Sequence, residues 1–142
     1  MPEATLPQVI AAPLMPEVRC VVVSASSSIL VRLATRSDIG TLVASMREAY
    51  AEASYPLDQR WAEAAFEKLF EDSDRGCGWI AEYEGAAAGH AVLTLRYAME
   101  HGALSGHIDD LFVRPELRRR GIGHALVSAS ASVGGASRCT WK

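Results

Sequence analysis

Apolar residues recur at regular intervals from residue 29 onward, and the interval alternates between strand and helix spacing. The short apolar run at residues 29–33 predicts a strand. Residues 38–53 predict a helix, because apolar positions repeat every three or four residues after a polar start. Pro56 interrupts this spacing, and a second helix is predicted at residues 58–72. The chain therefore predicts a strand followed by two helices.

The next segments predict strands and then a third helix. Two strands, at residues 78–83 and 88–97, flank a short glycine-bearing turn that suits a hairpin, and a third strand is predicted at residues 107–113. The last helix begins near Gly121 and is expected to end at Gly134-Gly135, with one apolar face. That face consists of Ile122, Ala125, Leu126, Ala129 and Val133.

The first 28 residues predict an irregular extension ahead of a domain at residues 29–142. The extension holds prolines at positions 2, 7, 13 and 16, and its apolar run at residues 20–23 is too short for a signal peptide or a membrane span. At 142 residues with 49% hydrophobic content, the chain can bury one core but leaves no room for two domains. We expect no association with membranes.

Net charge and cysteine content argue against nucleic-acid binding, a disulfide framework and a metal site. The net charge of -3 argues against nonspecific nucleic-acid binding, although Arg118 to Arg120 form a local basic cluster. Cys20, Cys77 and Cys139 are odd in number and far apart, which supports neither a disulfide framework nor a metal site. We therefore expect reduced cysteines, a cytoplasmic location and no bound metal, with Cys77 as a small core residue.

The segment from Val113 to Gly123 carries the strongest chemical signal. It leaves an apolar strand, turns through Pro115 and opens a helix at two glycines. Backbone N–H groups at a helix start have no intrahelical acceptor and carry the positive end of the helix dipole, so they suit a phosphate. Gly121 and Gly123 would let that phosphate approach the backbone. The alternative is a surface turn that leads into a helix. A Walker loop fits worse because it ends in Gly-Lys-Ser/Thr, whereas this loop continues as Gly123-His124-Ala125. A dinucleotide fingerprint fits worse because it follows the first strand of a fold, and this segment comes after several elements.

With Ile108 to Phe112 before it and Ala125-Leu126 after it, this segment resembles motif A of the GNAT acyltransferase superfamily. In that family an Arg/Gln-x-x-Gly-x-Gly/Ala loop binds the pyrophosphate of acyl-coenzyme A, and the match here is Arg118-x-x-Gly121-x-Gly123. The resemblance runs from residue 29 to the C-terminus and implies an α/β fold with a mixed sheet, acetyl-CoA as co-substrate and no metal. The implied cofactor-binding residues are Leu111, Phe112, Val113, Arg118, Arg119, Arg120, Gly121, Ile122, Gly123 and His124.

The chain departs from the GNAT pattern at its end. In that family a parallel strand, a helix and two further strands follow the third helix, whereas only residues 138–142 remain here. The resemblance therefore implies a C-terminally shortened GNAT-like fold. An uncovered edge on the strand at residues 108–113 would recruit another strand. We expect a homodimer in which residues 138–141 or 20–23 pair with a neighbouring sheet.

Acyl transfer to an amine needs a group that takes up a proton of the ammonium ion. Strand alternation sends Asp109 and Asp110 to opposite faces, so only one of them is expected to face a cleft. By that register Asp109 shares a face with His107, Leu111 and Val113, and the pair looks like the acidic pair of polyamine-type GNAT enzymes. We expect Asp109 to accept the proton or bind the ammonium, with His107 as the second candidate and Asp110 structural. A solvated surface carboxylate is the alternative for Asp109.

The remaining site residues follow only from the resemblance. GNAT enzymes stabilise the oxyanion with a backbone N–H on the cofactor strand, which corresponds here to Phe112 or Val113. They protonate the leaving thiolate with a tyrosine, and no tyrosine follows the motif in this chain. The implied acceptor contacts combine acidic and aromatic side chains, which suit a small cationic amine or amino-acid-like acceptor. They are Tyr50, Tyr55, Tyr97 and Glu100.

Three functions remain open from the sequence. The first is an acetyl-CoA-dependent N-acetyltransferase that acts on the primary amine of a small molecule or amino-acid-like acceptor. The second is a truncated, catalytically weak module that binds CoA or a partner. The third is an RNA-binding protein that uses Arg114 and the cluster from Arg118 to Arg120, and the net acidity disfavours it.

Overall fold

A five-stranded sheet carries helices on both faces. The computed structural model describes residues 28–72, 74–132 and 139–140. The helices are α1 (Ile39–Glu52), α2 (Gln59–Glu71) and α3 (Ile122–Ser132), and short 3₁₀ turns at Arg36–Asp38 and Pro115–Leu117 precede α1 and α3. The strands are β1 (Ile29–Leu33), β2 (Gly76–Tyr83), β3 (Ala86–Ala98), β4 (Ala103–Val113) and β5 (Cys139–Thr140).

The strands lie in the sheet in the order of the chain. Neighbouring strands from β1 to β4 are antiparallel, and β5 runs parallel to β4. β5 pairs with β4 at Gly106 and His107. Within the described residues, the segment Ile108 to Val113 therefore has β3 as its sole strand neighbour. Among these residues, one edge of β4 is therefore open, directly before the loop that leads to α3.

Two hydrophobic cores lie on the two faces of the sheet. Adjacent residues of one strand point to opposite faces, so Trp79 belongs to the core under α3 and Ile80 to the core under α1 and α2. The predicted apolar face of α3 is confirmed as far as the structure describes it. Its fully buried or nearly buried members are Ile122, Ala125, Leu126 and Ala129.

Polar contacts fix the starts of α1 and α2. The Arg32 guanidinium donates to both carboxylate oxygens of Asp38, at 2.8 and 2.9 Å, and the backbone N–H of Thr35 donates to the same carboxylate. The hydrogen bonds from Arg32 hold the pKa of the Asp38 carboxyl below its usual value. Asp58 caps α2 by accepting a hydrogen bond from the Trp61 N–H at 3.0 Å. Both helices therefore begin directly after the polar residues Asp38 and Asp58, at the positions predicted from the sequence.

The predicted order of elements is confirmed, and the largest difference in bounds is at β4. This strand begins at Ala103 rather than 107, because its ladder with β3 continues to the pair Ala98 and Ala103 across a tight turn. Cys77 is buried, as predicted, and burial raises the pKa of its thiol to about 12. The extension at residues 1–27, Val133 and the predicted helix end at Gly134-Gly135 lie outside the described residues.

No helix in the described ranges is long and apolar enough to cross a membrane. Across the same ranges, no three side chains among His, Cys, Asp and Glu come together as metal ligands.

Candidate active site

A β-bulge interrupts β4 at the acidic pair. Val92 of β3 lies opposite Asp110, whereas the next residue, Leu93, lies opposite Ile108. Asp109 is therefore the extra residue of the bulge, without a partner of its own in the β3 ladder. A bulge shifts the alternation of side chains between the two faces by one residue, so faces assigned from regular alternation are wrong beyond it.

The bulge changes which residues share a face. Asp110 lies opposite Val92, which belongs to the α1–α2 core, whereas Val113 packs against the α3 core. His107, on the other side of the bulge, lies opposite Thr94. Thr94 is two residues from Val92 and points to the same face, so His107 shares the face of Asp110. The predicted grouping of His107 with Leu111 and Val113 is therefore wrong.

A cleft of about 760 Å³ opens between α1, α2 and the bulged part of the sheet. Asp109 and Asp110 both line this cleft, so the expectation that only one of them would face it is also wrong. The reason is the bulge, which sets two consecutive residues against one step of the β3 ladder. Six of the residues proposed from the sequence line the cleft. They are Tyr50, Tyr55, Asp109, Leu111, Phe112 and Arg118.

Three of the proposed catalytic and acceptor-contact residues are not among those that line the cleft. Tyr97 and Glu100 lie at the far end of the β3–β4 hairpin, because β3 is 13 residues long and carries its turn beyond the cleft. His107 pairs through its Nε2 with the Nε–H of Arg96 on the neighbouring strand. These three positions therefore do not meet Asp109 and Asp110 at the cleft wall.

Several residues of this region were not predicted from the sequence. Glu52, Trp61 and Met46 line the cleft from the two helices. His90, which is fully buried, lies 2.8 Å through Nε2 from Asp110 Oδ2 and 2.6 Å through Nδ1 from Ser45 Oγ. In the sequence, His90 is a single polar residue within the apolar run of β3. This pattern does not indicate which residues it contacts.

Arg118 joins the cleft to the β4–α3 loop. Its guanidinium donates to both carboxylate oxygens of Glu52, at 2.9 and 2.6 Å, and its Nε–H donates to the Val113 carbonyl at 2.9 Å. It also lies over the Phe112 ring, 5.7 Å from the centroid. The hydrogen bonds from Arg118 lower the pKa of the Glu52 carboxyl. Arg118 is therefore a fixed cation at the mouth of the cleft.

The loop after Arg118 has the geometry of an anion cradle. Arg119 and Gly121 take positive φ angles of 63° and 87°, and a Cβ built at Gly121 meets nothing within 4 Å. The first intrahelical hydrogen bond after this turn runs from the Ala125 N–H to the Gly121 carbonyl at 3.0 Å. The N–H groups of Ile122, Gly123 and His124 precede it and so have no acceptor one turn back.

A second basic side chain borders this loop. The guanidinium of Arg120 lies 5.2 Å from the centroid of the Tyr83 ring. The loop therefore offers basic side chains, an open backbone and helix-start N–H groups together, and these are the groups that suit a pyrophosphate.

The open edge of β4 adds backbone N–H groups next to the loop. The Arg114 N–H donates to the Ala88 carbonyl at 2.9 Å, and the alternation of an antiparallel ladder then turns the N–H of Phe112 toward β3 and that of Val113 toward the open edge. The Arg118 contact with the Val113 carbonyl agrees with this orientation. Of the two oxyanion donors implied by the resemblance, Val113 faces the open edge and Phe112 does not. Leu111, two residues earlier, shares the orientation of Val113.

Comparisons with known proteins agree with this geometry. An integron cassette protein from the mobile metagenome of Cole Harbour Salt Marsh is 35% identical, with a TM-score of 0.73, over 78% of this chain and 74% of that chain. The aminoglycoside N-acetyltransferase AAC(6')-Iy, solved in complex with CoA, is 18% identical, with a TM-score of 0.70, over 84% and 80% of the two chains. A predicted acetyltransferase from Clostridium acetobutylicum, solved with acetyl-CoA, is 15% identical, with a TM-score of 0.67, over 80% of each chain.

A search of curated proteins returns no significant match. The model of the acetyltransferase (GNAT) family matches residues 43–140, which include most of α1, all of α2, the cleft and the glycine loop. The chain therefore belongs to the GNAT acetyltransferase family.

Proposed function

We propose that this protein is an N-acetyltransferase that moves the acetyl group of acetyl-CoA to the primary amine of a small, cationic acceptor. One observation carries the proposal: the anion cradle and the acidic cleft meet at the same residues, the end of β4 and Arg118. The donor and the acceptor would thus approach one another across the open edge of β4. On the cysteine argument given above, we place the reaction in the cytoplasm.

The residues of the loop fit the phosphates of acetyl-CoA. The empty space beside Gly121 allows an oxygen to approach the backbone, and the N–H groups of Ile122 to His124 supply donors. Arg118 and Arg120 supply positive charge on either side. Acetyl-CoA contributes the acyl group as a thioester. The N–H groups of Leu111 and Val113 would face the carbonyl oxygen as its charge develops.

The acidic pair supplies the proton acceptor that the reaction needs. An alkylammonium ion has no lone pair, so one proton must first pass to a carboxylate of the cleft, Asp109 or Asp110. The amine nitrogen then forms a bond to the acetyl carbon as the carbon–sulfur bond breaks. The second proton of the nitrogen leaves with the thiolate, and the products are an N-acetyl amide and CoA thiol.

The cleft lining favours a cationic acceptor. Glu52, Asp109 and Asp110 place negative charge in it, and Tyr55 and Trp61 present large exposed aromatic surfaces at its rim, 68% and 59% exposed. Carboxylates and aromatic rings together attract an ammonium group through charge and cation–π contact. Two proteins with solved structures of this fold are the aminoglycoside acetyltransferases AAC(6')-Iy and meta-AAC0020, and aminoglycosides are polyamines of this chemical class.

Ligand-induced stabilisation tests the donor site. Acetyl-CoA at one hundred times its Kd should stabilise the fold by about 2.7 kcal/mol, which raises the Tm by several degrees. Gly121→Val should remove most of this rise, since its side chain would occupy the space that the phosphate needs.

Gly85→Val is the matched control. Gly85 has a φ angle of 83°, close to that of Gly121, and its Cβ would also meet nothing within 4 Å, but it lies in the β2–β3 turn. Both variants thus carry the same backbone strain, and only Gly121→Val should lose the response to acetyl-CoA. An equal response in the two variants would remove the loop from the donor site.

A further inference from the structure

A buried histidine is hydrogen-bonded to one of the two aspartates of the cleft, and within the described residues no hydrogen bond joins it to the other. We propose that Asp110, rather than Asp109, accepts the amine proton, and that His90, itself held by Ser45, is the positioning residue of Asp110. This assignment rests on the proposed acetyl transfer and selects between the two carboxylates that line the cleft.

The three side chains form one chain of hydrogen bonds across α1, β3 and β4. Ser45 Oγ lies 2.6 Å from His90 Nδ1, and His90 Nε2 lies 2.8 Å from Asp110 Oδ2. The His90 side chain is 0% exposed, whereas that of Asp110 keeps 24% exposure. Asp110 thus has one oxygen engaged from inside the protein, and within the described residues no partner contacts its Oδ1. The carboxylate is thus fixed through Oδ2, and Oδ1 is available to a ligand in the cleft.

The chemistry of the three groups fixes the direction of both hydrogen bonds. An ionised carboxylate only accepts, so His90 Nε2 carries the ring proton and donates to Asp110. In the neutral ring Nδ1 is then the acceptor, and the Ser45 hydroxyl donates to it. The Asp110 carboxylate therefore sets the tautomer of the neutral His90 ring, and the Ser45 hydroxyl supplies the hydrogen bond that this tautomer accepts at Nδ1. The free Oδ1 takes the ammonium proton, and the nitrogen lone pair that this releases forms the bond to the acetyl carbon.

Asp109 lacks this support. It is the exposed, extra residue of the bulge, and the hydrogen bond of the imidazole goes to Asp110 instead. The other charged side chains near the chain of hydrogen bonds are paired elsewhere: Glu48 with Arg114, at 3.2 Å, and Glu52 with Arg118, at 2.6 Å. A catalytic carboxylate must be held in a productive orientation, and the geometry supplies such a holder to Asp110 alone of the acidic pair.

A double-mutant cycle on kcat tests the assignment, with the amine that the wild-type protein acetylates fastest. Asp110→Asn should lower kcat about 100-fold, in the range expected for loss of a general base. His90→Leu should lower kcat about tenfold and leave the Kd for acetyl-CoA unchanged, because imperfect positioning costs rate without touching the donor site. His90→Gln, whose amide can still donate to Asp110, should recover most of that loss.

Combining His90→Leu with Asp110→Asn or with Asp109→Asn shows which aspartate His90 acts through. If His90 acts through Asp110, His90→Leu should have no further effect on kcat in Asp110→Asn, and it should keep its full effect in Asp109→Asn. Equal losses in the two backgrounds, or an unchanged kcat in His90→Leu, would overturn the proposal. Should His90→Leu fail to fold by circular dichroism, Ser45→Ala takes its place in the same cycle, with an expected loss of about threefold. Absence of acetyl transfer by the wild-type protein would instead remove the proposed function itself, so the two failures are distinct.

Discussion

Arg118 is the residue at which the acidic cleft and the glycine loop meet. Its guanidinium is held by Glu52, by the Val113 carbonyl and by the Phe112 ring. A carboxylate in bidentate contact with guanidinium presents the same fork of oxygens as a phosphate. Glu52 therefore occupies the position that a phosphate oxygen pair would take on Arg118. We propose that donor binding exchanges this carboxylate for a phosphate.

Glu52→Gln should strengthen the binding of acetyl-CoA. Loss of the carboxylate frees Arg118 from a charge-assisted pair, so the Kd measured by calorimetry at pH 7 should fall several-fold. Arg118 lowers the pKa of Glu52, which keeps the wild-type carboxylate ionised at neutral pH. The difference between the two proteins should disappear as the pH falls through that lowered pKa, because the wild-type carboxylate then becomes neutral as well.

Glu48→Gln is the matched control, since Glu48 lies one turn earlier on α1 and pairs with Arg114 at 3.2 Å. It should leave the Kd unchanged. A Kd that rises in Glu52→Gln would mean that Glu52 holds Arg118 in the position used for binding, contrary to the exchange described above.

At the residue scale, the sequence indicated the loop more fully than the cleft. Arg118, Gly121 and Gly123 could be predicted because they are close in sequence, and their spacing reflects one local turn. The partnership of His90 with Asp110 and Ser45 joins residues 20 and 45 positions apart, and only the folded sheet brings them together. Proximity of this kind has no local signature.

At the scale of elements, the start of α1 depends on an ion pair with β1. The Arg32 and Asp38 side chains are 26% and 13% exposed and meet at 2.8 Å, so water screens their attraction less than at the surface. Asp38→Asn should reduce the free energy of unfolding by about 2 kcal/mol at pH 7. Urea unfolding followed by circular dichroism measures the change.

The pH dependence of this contribution has a definite sign. Arg32 lowers the pKa of Asp38 from 3.8 in the folded state, so the pair stabilises the fold above 3.8 and loses its effect as the pH falls through the lowered value. The gap between wild type and Asp38→Asn should therefore close below pH 3.8. Glu71→Gln serves as the control, because the Arg36–Glu71 pair is 3.9 Å long with both side chains 61% exposed, and it should change stability by under about 0.5 kcal/mol.

The order of elements could be predicted, whereas the irregularity within β4 could not. Apolar periodicity extends over a whole helix or strand, so the loss of one position does not hide it. A bulge is a single extra residue, and Asp109 and Asp110 look like two ordinary strand positions in the sequence. That one residue decides which side chains meet the cleft, which is why the predicted face of His107 was wrong.

At the scale of the whole molecule, the open edge of β4 bears on association. Within the described residues, β5 pairs with Gly106 and His107, and the segment Ile108 to Val113 has strand contact on one side. We propose that a second copy of the chain covers such an edge in the absence of ligand, as a homodimer. Cys139–Thr140, which we expected to pair with a neighbouring sheet, pairs with β4 of its own chain.

Light scattering at micromolar concentration tests this association. We expect a dimer, and Leu111→Lys should shift it toward monomer because Leu111 lies on that edge with 41% of its surface exposed. A wild-type monomer across the micromolar range would exclude the dimer. Because the donor would occupy the same edge, acetyl-CoA should also favour the monomer.

Release of CoA thiol from acetyl-CoA, measured across a panel of primary amines from amino acids to polyamines, tests acetyl transfer itself. We expect thiol release that requires the amine, is fastest with cationic acceptors, and falls about 100-fold in Asp110→Asn. Binding of acetyl-CoA without amine-dependent thiol release, for every amine of the panel, would contradict acetyl transfer as the function of this protein.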